Sequence, residues 1–127
     1  MKASYQMSVL PQSGVQVTIE GALLRLLFDF SKPEPKEGEE SEDENDIYDC
    51  ESVDVKGRGY GDIVSAIMND RYSSDSVQAI MANYADALDG SSDLTPEKRA
   101  EYIDEYDAYQ QYRRHAKSIA NTVLTLI

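Results

Sequence analysis

Two hydrophobic periods divide the chain: apolar residues tend to recur at every second position up to residue 55, and at every third or fourth from Tyr60 onward. Residues 3–9 alternate weakly, with Tyr5, Met7 and Val9 on one side. Pro11-Gln12-Ser13-Gly14 then supplies turn chemistry before Val15, Val17 and Ile19 resume the period, a pattern that predicts a hairpin. The second strand is expected to run on past Gly21, because Leu24, Leu26, Phe28 and Phe30 share one parity while Arg25 and Asp29 take the other. Leu23 and Leu27 break this alternation, so part of the opposite face should also be covered. Ser31-Lys32-Pro33-Glu34-Pro35 ends the strand, since proline removes ladder donors and biases its predecessor away from helix. Apolar residues return at Ile47, Tyr48, Cys50, Val53 and Val55, and the parity switch between Cys50 and Val53 predicts a bulge in this third strand.

The helical period begins with Tyr60, Ile63, Val64, Ile67 and Met68 on one face. Ser73 or Ser74 can cap a second helix whose face is Val77, Ile80, Met81, Tyr84 and Leu88. Asp89-Gly90-Ser91-Ser92-Asp93 interrupts it. Thr95-Pro96-Glu97 restarts the chain with a cap residue, a proline at the first helical position and an acid behind it. The third helix is the longest, with Tyr102, Tyr106, Tyr109, Ala116, Ala120, Val123 and Ile127 at spacings of three and four, broken only by Arg113. The expected architecture is a single α+β domain over residues 1–127. A small antiparallel sheet of about three N-terminal strands packs against three C-terminal α-helices.

Charge changes this picture in one place. Residues 34–54 hold eleven acidic side chains and one base, Lys36, which is ten of the chain's twelve net negative charges; the remainder carries thirteen acids and eleven bases. Residues 33–46 have the low hydrophobicity and high charge of a solvated segment and are expected to form a mobile loop within the domain. The acidity disfavours nucleic acid and anionic membrane and favours a basic protein partner or metal cations. Within the third predicted strand, Asp49, Glu51 and Asp54 stand where a fixed backbone could hold carboxylates at set intervals, and they are candidate interaction residues.

Catalytic and metal signatures are weak. Cys50 is the only cysteine, which excludes an internal disulfide or thiolate cage and points to a reducing, cytoplasmic interior. No basic-then-apolar leader opens the chain, and the stretch Gly21 to Phe28 is short and interrupted by Arg25, so neither a signal peptide nor a membrane span is expected. Gly57-Arg58-Gly59-Tyr60-Gly61 lies between a strand and a helix, where amides can cradle phosphate, but its spacing is not that of a dinucleotide fingerprint and Asp62 follows it. A flexible turn is the stronger reading. Glu42 to Asp46, with Asp49 and Glu51, could offer oxygen ligands to calcium, yet no EF-hand spacing is met. His115 is the only histidine and stands among Arg113, Arg114 and Lys117, which reads as a helix surface rather than a triad. These bases form too small a footprint for nucleic acid. The residues imply neither an enzyme nor a cofactor.

Seven of nine tyrosines fall in the helical half. Tyr102, Tyr106, Tyr109 and Tyr112 either rim a small core or form a protein-binding surface, because tyrosine buries its ring while its hydroxyl reaches water or a partner. They join the acidic strand residues as candidate interaction positions.

The run Gly59-Tyr60-Gly61-Asp62-Ile63-Val64-Ser65-Ala66-Ile67-Met68-Asn69-Asp70-Arg71-Tyr72-Ser73, with Glu105-Tyr106-Asp107-Ala108-Tyr109-Gln110 and Arg113-Arg114-His115-Ala116-Lys117, resembles small uncharacterised proteins of phages and prophages from gut bacteria. The resemblance covers residues 57–120 and carries no catalytic residue. It implies an accessory protein of a virion or mobile element, placed in the host cytoplasm or in the virion. The expected function is a non-enzymatic protein–protein interaction or structural role, with self-association into a homo-oligomer through strand edges or aromatic helix faces. The alternative is an acidic nucleic-acid mimic that inhibits a host DNA-binding enzyme.

Overall fold

The structure, a computed structural model, describes residues 1–33 and 47–127; the expected acidic loop and its calcium ligands up to Asp46 lie outside the described residues. The chain is α+β, with four strands followed by three helices: β1 (Lys2–Gln6), β2 (Val15–Glu20), β3 (Leu23–Ser31), β4 (Ile47–Val55), α1 (Tyr60–Arg71), α2 (Ser74–Leu88) and α3 (Pro96–Leu126). The count of about three strands is corrected by Gly21. Its φ of +60° opens a two-residue loop between Glu20 and Leu23, so the long second strand folds back as a hairpin. A positive φ at the first loop position alone is the pattern of a type II′ turn, which suits the right-handed twist of strands.

All pairings are antiparallel, in the order β1-β4-β3-β2. The first two strands therefore do not form the hairpin that their spacing predicts. Pro11–Gly14 does turn, with Gly14 N–H donating to Pro11 C=O at 3.0 Å and a φ of +77° at Gly14. But β1 ends at Gln6, and residues 7–14 carry the chain to the opposite edge of the sheet. β1 instead aligns with β4, from Lys2 opposite Glu51 to Gln6 opposite Ile47.

The bulge also lies elsewhere than expected. Phe28 faces Glu51 and Ser31 faces Asp49, so β3, not β4, carries the extra residue. Asp29 takes it up with a φ of +56°, a left-handed conformation that aspartate tolerates better than most residues.

The core lies on the helix-facing side of the sheet. Leu24, Leu26 and Phe28 stand opposite Val55, Val53 and Glu51, with Val15 beyond Phe28. Ile63 and Ile67 of α1 and Ala116, Ile119, Ala120 and Val123 of α3 close over them. Each large aliphatic side chain buried here contributes about 1.5–3 kcal/mol of transfer free energy. The small Ala116 and Ala120, one turn apart and fully buried, let α3 approach the sheet closely. Leu27 and Cys50 are buried on the other face, as the broken alternation of β3 predicts for part of that face.

Local chemistry sets the helix starts. Asp62 accepts from the Gly59 amide at 3.1 Å, Ser73 Oγ from Ser76 N–H at 3.1 Å, and Thr95 Oγ1 from Lys98 N–H at 3.2 Å, with Pro96 behind it. No described helix is long and apolar enough to cross a membrane.

Candidate interaction surface

The three candidate carboxylates of β4 do not form one acidic row. β4 is an interior strand, so alternation sends Asp49 and Glu51 to the helix side and Asp54 to the other. Each has a partner within the chain. Asp49 accepts from Ser4 Oγ at 2.6 Å, Glu51 lies 3.4 Å from the Met1 amine, and Asp54 accepts from Arg25 Nε at 3.0 Å. Burial alone would lower the pKa of the Met1 amine, but Asp70 and Glu51 together outweigh it and hold the amine above its ordinary value.

The tyrosines divide as well. Tyr109 and Tyr112 are buried, and both pack against Tyr72, with ring centroids at 5.1 and 5.9 Å. The Arg71 guanidinium lies over the Tyr112 ring, 4.3 Å from its centroid. Burial raises the Tyr112 phenol, and Arg71 offsets part of that rise. These two residues belong to the interior and are not available as a docking surface. Tyr102 and Tyr106 remain half-buried. Tyr106 stacks flat on Tyr84 of α2, with centroids 3.7 Å apart and planes at 5°, and Lys98 lies 5.2 Å from the Tyr102 ring.

These contacts belong to a hairpin of α2 with the first part of α3. α2 buries only Ala87 and packs principally on α3, and residues 96–108 of α3 bury nothing fully. Arg99 fastens the connection: its guanidinium donates to the carbonyls of Ala87 and Asp89 and to Ser92 Oγ. Within that loop, Ser91 donates to Asp89 through both its hydroxyl, at 2.7 Å, and its N–H, at 2.9 Å; these bonds hold the Asp89 carboxyl below its usual range. Val77 and Ile80 are half-buried along α2, while Met81 and Leu88 are exposed at 40% and 64%.

Residues 73–112, from the α2 cap to the buried Tyr112, carry nine acids and two bases. Outside this span and outside 34–54, the chain holds four acids and nine bases. The near balance read from the sequence is thus two opposed regions. Glu97, Glu101, Asp104, Glu105 and Asp107 are all exposed on the rigid helix. Charge counted over the stretch 73–112, rather than over everything outside 34–54, is the signal that finds this surface.

His115 has a partner that sequence spacing could not show. Its Nε2 lies 2.7 Å from Asp29 Oδ1, and the left-handed backbone at the bulge aims that carboxylate toward α3. Both side chains are more than two-fifths exposed, so the pair adds little stability. A shallow groove of about 350 Å³ brings Asp29, Asp49 and Glu51 together, yet each carboxylate already has an in-chain partner. No cluster among the described residues is arranged to hold a metal ion. At the glycine-rich turn, the Asp62 carboxylate occupies the amide of Gly59 and the space beside Gly57 that a phosphate would need.

Cys50 is buried, and its burial, with Glu51 and Asp49 beside it, pushes the thiol up. Native protein should therefore react with iodoacetamide at least about tenfold more slowly than urea-unfolded protein. Equal rates followed by mass spectrometry would contradict the burial. Comparison with known proteins returns no matching family model, no matching curated protein and no matching solved structure.

Proposed function

We propose that the protein is a non-enzymatic interaction protein that presents the α2–α3 hairpin to a basic protein partner. The observation that carries this reading is the make-up of the hairpin: a helical pair with one fully buried residue in α2, exposed Met81 and Leu88, and nine acids against two bases over residues 73–112. An apolar strip inside an acidic field suits a partner surface of opposite charge, since complementary potentials steer encounter and set register while apolar contact supplies affinity. The sheet and the second part of α3 then serve as the rigid base that holds the hairpin.

Glu101→Lys combined with Glu105→Lys is expected to abolish partner capture while leaving the melting temperature within a few degrees of the parent. Both side chains are exposed, and substitutions at such positions shift stability by about 0.5 kcal/mol or less. Deletion of residues 34–46 should leave capture intact. If the deletion abolishes binding and the double reversal does not, the acidic segment is the binding element and the hairpin is not.

The nucleic-acid-mimic reading takes its support from the same exposed row, Glu97, Glu101, Asp104 and Glu105, which the helix holds at regular spacing; the paired carboxylates of β4 offer it none. Competition separates the two. Duplex DNA displaces a mimic from its target and leaves an ordinary protein–protein complex in place.

A further inference from the structure

Among the described residues, the β2 edge of the sheet carries an open hydrogen-bond ladder whose geometry specifies its occupant. Glu20 and Leu23 close a two-residue hairpin and so form a hydrogen-bonded pair. Thr18 and Gln16 consequently bond toward β3, while Val15, Val17 and Ile19 turn their N–H and C=O groups outward. Ser13 corroborates this at Val15, where its Oγ accepts from the N–H at 3.3 Å and donates to the C=O at 3.0 Å. Among the described residues, no comparable side-chain cap serves Val17 or Ile19.

The edge also lacks the usual protection. β2 contains neither proline nor lysine, whereas β1 on the opposite edge carries Lys2. Ile19 is 59% exposed. Leu126, near the end of α3, is 48% exposed and lines a groove of about 580 Å³ along this edge with Val15, Val17 and Pro11.

We propose that β2 pairs antiparallel with β2 of a second copy of this chain, about a twofold axis that passes midway between the two copies of Thr18. In that register Val17 faces Ile19 of the second copy and Ile19 faces its Val17, so every outward N–H and C=O of these residues is satisfied. Val17 and Ile19 also share the helix side of the sheet, which makes an apolar cross-strand pair there. Thr18 meets Thr18, and Gln16 meets Glu20, so no like charges stand opposite one another. The register centred on Val17 is disfavoured, because it needs the backbone groups of Val15 that Ser13 already holds. An axis perpendicular to the sheet keeps both helical layers on one side and brings the exposed ends of the two α3 helices toward each other. A second copy fits because the edge is complementary to itself in chemistry and in register. The assignment does not depend on the α2–α3 hairpin.

Sedimentation equilibrium of the whole chain is expected to give twice the mass of one copy. Ile19→Lys changes an exposed side chain and should return the mass to that of one copy. Val17→Pro removes an outward donor and no hydrogen bond to β3, and should do the same. Thr18→Cys places two thiols across a non-hydrogen-bonded pair with Cα atoms about 4.5 Å apart, within disulfide reach. Oxidation should then yield a covalent dimer that the parent chain, with Cys50 buried, does not form. A parent that stays monomeric at millimolar concentration overturns the proposal. So does a dimer that survives both edge substitutions, or one that Thr18→Cys fails to cross-link.

Discussion

Phe28→Ala should lower the stability of the protein by about 3–5 kcal/mol, the range for removing a fully buried aromatic ring. Phe28 is 1% exposed and is the last regular position of β3 before the bulge. Val15 flanks it on one strand, Glu51 stands opposite it on the other, and its ring meets His115 of α3 at 6.4 Å between centroids. Collapse around the lost volume is restricted on two sides, because a paired strand and a long helix both resist movement. Domains are stable by only about 5–15 kcal/mol, so this one change removes a large part of the total. Urea denaturation monitored by circular dichroism provides the measurement, with Val9→Ala as an exposed control. A loss below about 1 kcal/mol for Phe28→Ala would show that the ring is not a principal part of the core, since that is the size of an ordinary substitution.

Ala120→Leu is expected to destabilise by about 1–3 kcal/mol through overpacking, although leucine ranks just below alanine as a helix former. Ala120 and Ala116 are both 0% exposed within the cluster that joins α3 to the sheet and to α1. A larger side chain there must push α3 away from Leu24, Leu26 and Ile63, or force rotamers that those residues otherwise avoid. Ala108→Leu tests the explanation on the same helix, because Ala108 is exposed and should change stability by no more than about 0.5 kcal/mol. Equal effects at the two positions would mean that packing distance does not set the requirement for alanine. Thermal melts of the two variants beside the parent decide the matter.

The helical half was largely legible in the sequence. The three helices begin where the sequence predicts them: at Tyr60 from the change of hydrophobic period, after Ser73, one of two candidate caps, and after the cap Thr95. Periodicity and capping both depend on residues three or four apart along the chain. The tyrosines were legible only as a class. Spacing alone cannot separate Tyr109 and Tyr112, buried against Tyr72, from Tyr102 and Tyr106, which line the hairpin; the difference is whether α1 or α2 lies alongside at that level of α3. The acidity of the hairpin is contiguous in sequence, at residues 73–112, and only the chain-wide total, in which bases elsewhere balance it, conceals it.

The sheet shows the other limit. Period and turn residues marked the strands, yet the same pattern is consistent with β1 beside β2 or beside β4. Partner choice is a long-range property: it depends on which edges remain open after the Gly21 hairpin has formed. Asp49, Glu51 and Asp54 illustrate the consequence, because a single strand orders its carboxylates while the strands beside it, with the N-terminus, supply their partners.

The acidic stretch contributes most of the net charge, and its described part, Asp49 to Asp54, is built into the sheet with its carboxylates paired. By itself, the sequence determined the α+β class and the helix starts, which follow from interactions between near neighbours in the chain. Strand order, the residue that bulges, the contact of Asp29 with His115, and the separation of buried from exposed tyrosines were decided only by tertiary structure. Each depends on residues that are distant in sequence and meet only after the layers have packed.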